Sequence, residues 1–402
     1  MLHALMLALS TVAGPIDDTA PRVLLGPAEL ERLARNAAST EEPFASAWAH
    51  LRAAADAALE AEPSVYTGDN SLELRMATSA TSSRVRDLCL AYHVTGDERY
   101  AGRAVELFSP WACADPPPGT QLVSDEFAGG DRADTMAGLG LNVGLAATDM
   151  AIAYSLVWPH LAPELRADAE AWLRALAPVI IEGHRAWIDN DYYGHQDFNN
   201  HLTGHDMGLA AIGFAAGDPG LVRLALDSPD NPRDWKEMHD GAILLADAPL
   251  ADQLWHGDPT LTKGAAPPVT GEMYDRYRIV TIREGRGCGL PYAFFHQRML
   301  TLTAEMAHQN GIDLYGYTGP HGEDLRLTFQ AYAPYLLRGE PVVRRGYYSG
   351  NRMLPRQVAL YELAARRYPG EELIGRVLTE CDRVVHDDEL LGWAAVLLYG
   401  GE

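Results

Sequence analysis

The chain has 402 residues, 47% hydrophobic and 22% charged, which excludes a disordered or fibrous protein and allows a sizeable core. Thirty-two Lys and Arg stand against 55 Asp and Glu, a formal charge of −23. Such a surface repels nucleic acid and anionic membranes at long range, so neither is expected as a partner. No apolar run reaches the roughly 18 residues of a membrane-spanning helix. Cys89, Cys113, Cys288 and Cys381 include no C-x-x-C pair, so zinc ribbons and dithiol motifs have no support.

The first stretch, "MLHALMLALSTVAGPIDDTA" (1–20), resembles the apolar core of an export signal without its basic n-region. It leans toward a secreted or extracytoplasmic protein, with residues 21–402 as one domain. From there the pattern is helical. Apolar periodicity predicts helices over 28–38, 43–60 and 75–94, and "DERYAGRAVELFSPWA" adds one with Tyr100, Ala104, Leu107 and Phe108 on its buried face. Another follows at 139–157. "APELRADAEAWLRALAPVI" places Leu165, Ala169, Trp172, Leu173 and Leu176 on one face, with Pro163 in the first turn. Further helices are expected at 200–216, 291–310, 323–337, 355–367, 371–383 and near 388–399. "YRIVTI" (277–282) is the best strand and "PVVRRGYY" the next. Two joints share a grammar: "HVTGDERY" and "AAGDPGLV" each end a helix on glycine and cap the next with aspartate. Consecutive helical hairpins follow, giving an all-α fold with few short strands. An α/α toroid fits the length and leaves a central cleft; an open α-solenoid is the second choice.

Chemistry concentrates at "DYYGHQDFNNHLTGHD" (191–206). Asn199 and Asn200 precede a helical run, where an amide caps exposed N–H groups. Capping does not explain why His195, His201, His205 and Asp206 arrive together. His201 and His205 are four apart and share a helix face, the spacing of two zinc ligands. A metalloprotease needs Glu after the first histidine, where this chain has Leu202. A structural metal at His201/His205 stays an alternative, and no cofactor is otherwise required. "RYRIVTIREGRG" gathers Arg276, Arg278, Arg283 and Arg286, either a solvated segment or an anion-binding one.

On these elements the chain resembles the alginate-lyase-type polysaccharide lyases. The likeness rests on "PRVLLGPAELERLAR" (21–35), on "FNNHLTGHDMGLAAIGFAAGD" (198–218) with its Asn-Asn-His, and on "YAFFHQRMLTLTAEMAHQNGIDLYGY" (292–317) with its Gly-x-Asp-Leu-Tyr turn. It implies an α/α toroid that cleaves an acidic, uronic-acid-containing polysaccharide by β-elimination. Asn200 would then hold the substrate carboxylate, and His201 would neutralise it or act as base. Phe295 stands where the family has a tyrosine, so Tyr292, four residues before His296, is the candidate acid, with Tyr193 next. His296 joins Asn200, His201 and Tyr292 as a catalytic candidate. Asn142, Tyr193, Asn199, His205, Arg283, Arg286 and Tyr315 are candidate substrate ligands; Tyr317, Trp187 and Trp255 could stack on sugar or pack. Two other functions fit such a fold: a glycoside hydrolase drawing carboxylates from Glu126, Asp191, Asp197 and Asp206, and a non-catalytic glycan-binding protein.

Overall fold

Helix ends fall where the sequence supplies their caps. The computed structural model describes residues 20–122, 132–192, 196–247, 268–277, 279–281, 286–287, 289–337, 355–387 and 391–401. Its helices are α1 (Pro27–Ala37), α2 (Phe44–Ala58), α3 (Ser71–Thr95), α4 (Glu98–Cys113), α5 (Arg132–Val157), α6 (Pro163–Asp189) and α7 (Asn200–Ala216). They continue with α8 (Pro219–Leu226), α9 (Trp235–Ala242), α10 (Gly289–Gln309), α11 (Leu325–Tyr332), α12 (Val358–Arg367), α13 (Glu372–Glu380) and α14 (Ala395–Tyr399). Between α9 and α10, β1 (Ile279–Thr281) pairs antiparallel with β2 (Arg286–Gly287).

Both expected joints are built as read. Gly96 ends α3 at φ 68°, and the Asp97 carboxylate takes the Arg99 N–H at 3.1 Å. Gly217 ends α7 at φ 64°, and Asp218 takes the N–H groups of Gly220 and Leu221. Pro163 opens α6, which buries Ala169, Trp172, Leu173 and Leu176. Three expectations shift. α9, capped by Asp234, occupies eight residues that the periodicity left unassigned, too few to display a repeat. The helix expected over 323–337 stops at Tyr332 because Pro334 follows and has no N–H to donate; a 3₁₀ turn continues it. The last helix is shorter than 388–399, spanning Ala395–Tyr399. "PVVRRGYY" and Trp255 lie outside the described residues.

The helices pair into hairpins. α5 and α6 run antiparallel: Tyr154 Oη donates to Glu170 Oε1 at 2.9 Å at one end, and Gly140 meets Gly183 at the other. Neighbouring hairpins meet through parallel helices. Asn142 on α5 donates to Ser71 Oγ on α3, Gly144 on α5 packs on Gly204 and Gly208 of α7, and Thr203 on α7 touches His296 on α10. The circle closes where α1 packs on α14. Arg32 Nη1 donates to the Leu398 carbonyl at 2.7 Å, and Asn36 Nδ2 to those of Leu397 (3.0 Å) and Gly400 (2.9 Å). Arg367 on α12, paired with Glu305 on α10 and Glu29 on α1, ties the same seam. The fold is an α/α toroid with α3, α5, α7 and α10 inside and α4, α6 and α8 outside. The stretch Gly138–His160 is long and apolar enough to cross a membrane, but 89% of its most apolar window is buried among the other helices, as in a core helix.

The tightest inner contact joins α5 to α7. A Cβ on Gly208 would stand 2.5 Å from Gly144 Cα, and one on Gly144 would stand 2.7 Å from the Gly204 carbonyl oxygen. Both obstacles are backbone and cannot swing away. Gly208→Val is expected to cost about 3 kcal/mol or more by overpacking, read as a lower midpoint in chemical denaturation. An unchanged midpoint would show that the two helices can separate freely.

Candidate active site at the mouth of the ring

Two carboxamides open α7, and they do different work. Asn199 is the N-cap: its Oδ1 accepts the His201 N–H at 3.0 Å, and its Nδ2 donates to Gln196 Oε1 at 2.8 Å. Its expected role as a substrate ligand is therefore corrected to a cap. The Asn200 N–H donates to Asp275 Oδ2 at 3.1 Å. The same oxygen lies 2.7 Å from His296 Nδ1, and His296 Nε2 lies 2.7 Å from Thr203 Oγ1. Asn200, Asp275, His296 and Thr203 thus close a hydrogen-bonded loop around the first turn of α7. They are 1%, 1%, 0% and 0% exposed. His296, expected to be catalytic, is fully buried, with both ring nitrogens engaged by Asp275 and Thr203.

The half-buried candidates are His201 and Tyr292. The His201 ring lies 4.7 Å from the Trp187 ring, which is itself buried. Tyr292 stands one turn before His296 on α10, as Asn200 stands one turn before Thr203 on α7. The Thr203–His296 contact therefore sets both residues on adjacent parallel helices at one level. Asn142 and Tyr315, expected as substrate ligands, are structural instead. Asn142 is buried against Ser71, while the Tyr315 hydroxyl donates to Glu305 Oε2 at 3.0 Å inside the seam network. His205, expected as a substrate ligand, is fully buried, packed on Gly140 and edge-on to His184 at 5.5 Å. Arg276 is buried and paired with Glu272, so it leaves the expected basic gathering. Arg286 lies on β2 with its side chain outside the described residues; Glu126, Tyr193, His195, Arg278 and Arg283 are outside them altogether.

The segment leading into α7 is organised by Arg233. Its Nε donates to the Asp197 carbonyl at 2.9 Å, and its guanidinium stacks over Tyr192 and Phe198, 4.5 and 4.8 Å from their ring centroids. Phe198 also fills the space where Gly241 has no side chain. Asp191 and Tyr192 both adopt φ 49°, a left-handed conformation that costs non-glycine residues and clusters at functional sites. Arg233, Asp275, Thr203 and Gly241 escaped the sequence reading. Only Asp275 carried a signal, as an acid directly before the arginine-rich stretch that starts at Arg276.

The ends of α3, α7 and α10 that begin at Ser71, Asn200 and Gly289 lie at the same end of the ring. Each helix start carries roughly half a positive charge, so together they favour an anion there. Below this mouth a small cavity of about 40 Å³ is lined by Arg75, Asp149, Phe295 and Arg298, among others. A larger one, about 280 Å³, lies beside Tyr92, His93 and His160, towards the opposite ends of α3 and α5. Burial keeps His184 neutral, pushed down to about 4. Burial, with the Asp234 charge nearby, holds the Asp206 carboxyl well above its usual range. Fully buried and bonded to Asn231 at 3.0 Å, Asp206 cannot flank a glycosidic bond as a hydrolase would require. Among the described residues, no three His, Cys, Asp or Glu converge as metal ligands. Cys89 and Cys113 are free thiols, and the Cys381 thiol donates to the Leu336 carbonyl.

Two predictions follow from these environments. Asn199→Ala should cost about 1 kcal/mol through the lost cap, seen in denaturant melts; a change in substrate affinity without one in stability would restore it as a ligand. A raised folded pKa means that Asp206 contributes most below the free-carboxyl value of about 4 and loses that contribution as pH rises through its folded pKa. Asp206→Asn should therefore lose less stability than the parent as pH rises above about 4, and parallel pH profiles would refute the buried-acid reading.

The chain matches the family model described as alginate lyase over residues 34–243, just over half of its length. No curated protein matches it. Among solved structures, an alginate lyase from Bacteroides ovatus aligns at a TM-score of 0.61 and 16% identity, covering 96% of this chain and 100% of that one. Alginate lyase A1-III aligns at 0.56 in two forms complexed with tetrasaccharide. Its tyrosine-to-phenylalanine variant is 18% identical and its histidine-to-alanine variant 16%, and each alignment covers 94% of this chain and 96% of that one. At such identities the structural likeness speaks for the toroid alone. The family match includes the turn that holds Asn199, Asn200 and His201, and with it the chain belongs to the alginate lyase family.

Proposed function

We propose that the protein is a polysaccharide lyase that cleaves a uronic-acid-containing glycan, such as alginate or glucuronan, by β-elimination at the mouth of the ring. One observation carries this reading. A half-buried imidazole and a half-buried phenol, His201 and Tyr292, stand on adjacent parallel helices whose positive ends face the same opening. Family membership and the tetrasaccharide complexes of alginate lyase A1-III support an acidic sugar chain as substrate.

The chemistry follows from the charge problem. The proton beside a sugar carboxylate is very weakly acidic, because its removal adds a second negative charge to the same group. The helix starts, the Asn200 amide and a protonated His201 can offset that charge, and preorganised donors of this kind are often the largest catalytic contribution. A base then takes the proton on C5, the electron pair forms the C4–C5 double bond, and the C4–O glycosidic bond breaks. The leaving oxygen collects a proton from an acid, for which Tyr292 is the candidate. Asn200 is buried and His201 is not, so the amide meets only a carboxylate seated at the base of the mouth.

Screening alginate, glucuronan, hyaluronan and heparosan for a new ultraviolet-absorbing product tests the reaction, because only elimination leaves a double bond conjugated to the carboxylate. On the substrate found, Asn200→Ala and His201→Ala should each slow turnover by about 10²-fold or more. Product without the unsaturated end would replace the lyase with a hydrolase. Wild-type rates in both variants would remove these residues from the site.

A further inference from the structure

We propose that Asp275 is a positioning residue for the elimination, an inference that rests on the lyase reading above. The first-turn N–H groups of a helix have no partner within it. Asn199 Oδ1 satisfies that of His201, so the Asn200 N–H needs a different acceptor. Asp275, 75 residues further along the chain, supplies it at 3.1 Å. A carboxylate is the favoured group at a helix start, where it meets the positive end of the dipole.

The same Asp275 oxygen holds His296 Nδ1 at 2.7 Å. A carboxylate accepts only, so His296 donates from Nδ1. In the neutral ring Nε2 is then an acceptor for the Thr203 hydroxyl, 2.7 Å away. A threonine within a helix commonly bonds back to its own helix; here the Thr203 hydroxyl reaches across to α10. One aspartate and one histidine, from the turn Tyr274–Tyr277 and from α10, thereby grip α7 at Asn200 and again one turn later. The grip fixes the rotation of α7 against α10, and with it the spacing of His201 from Tyr292. Misplacing reacting groups by about 1 Å can cost on the order of 10²-fold in rate.

Both bonds end on the one oxygen, Oδ2, so an asparagine can retain them through its amide oxygen while an alanine cannot. On a polyuronate that the wild type converts, Asp275→Ala should lower kcat by about 10²-fold with KM within about 3-fold. Asp275→Asn should recover roughly 10-fold of that loss, and Thr203→Val, which breaks only the far bond, should lower kcat by about 10-fold. A residue serving stability alone would lower the melting temperature and leave the kcat of the folded enzyme intact. Asp275→Ala with kcat within about 2-fold of wild type, or with a change in KM alone, overturns the inference. If Asp275→Ala does not fold, wild-type kcat in Thr203→Val overturns it equally. A wild type that yields no unsaturated product removes the lyase reading and this inference together, whereas full activity in all three variants removes the inference only.

Discussion

The rest of the structure depends on how closely α5 can approach α7. At Gly144 and Gly208 the two backbones touch with no side chain between them. Helices normally pack 8–10 Å apart because side chains intervene, and glycines allow closer approach. That approach has further consequences for neighbouring positions. Gly140, one turn from Gly144, leaves room for the His205 ring, and Met299 of α10 packs beside Gly204. The inner wall of the toroid is therefore set by positions where a side chain is missing, and the first turn of α7 is carried on that wall.

The site above it reconciles two opposed charges. The protein is strongly acidic, yet its substrate class is a polyanion. Long-range attraction cannot deliver such a substrate, so recognition has to be local. The positive ends of parallel helices supply part of it without any basic side chain, and they are fixed in place by the fold itself. Three arginines are already paired with carboxylates: Arg276 with Glu272, Arg298 with Asp387, and Arg367 with Glu305.

Much of the architecture was legible because it is written locally. Gly96-Asp97 and Gly217-Asp218 each announce the end of one helix and the start of the next, and a succession of such joints can only build hairpins. The Asn199 cap was legible for the same reason. What was not legible depends on residues distant in sequence. His296 reads as a cleft histidine from its neighbours, and only the partners Asp275 and Thr203 make it structural. Tyr315 reads as a sugar platform until Glu305 is found beneath its hydroxyl. Asn142 and His205 misled in the same way, since a polar residue on an inner helix looks alike in sequence whether it faces a cleft or a neighbouring helix. Short helices such as α9 were missed because eight residues give barely two turns of periodicity.

The seam between α1 and α14 bears on how the chain reaches its native state as it is synthesised. The Arg32 guanidinium and the Asn36 amide are buried, and their acceptors are carbonyls at residues 397–400, more than 360 positions later. Hairpins can form one after another as they leave the ribosome, but these groups stay unmatched until residues 397–400 emerge. A nascent chain would therefore exist as an open arc, with one polar-lined edge waiting for its counterpart, and the arrival of residues 397–400 would be the event that locks the circle.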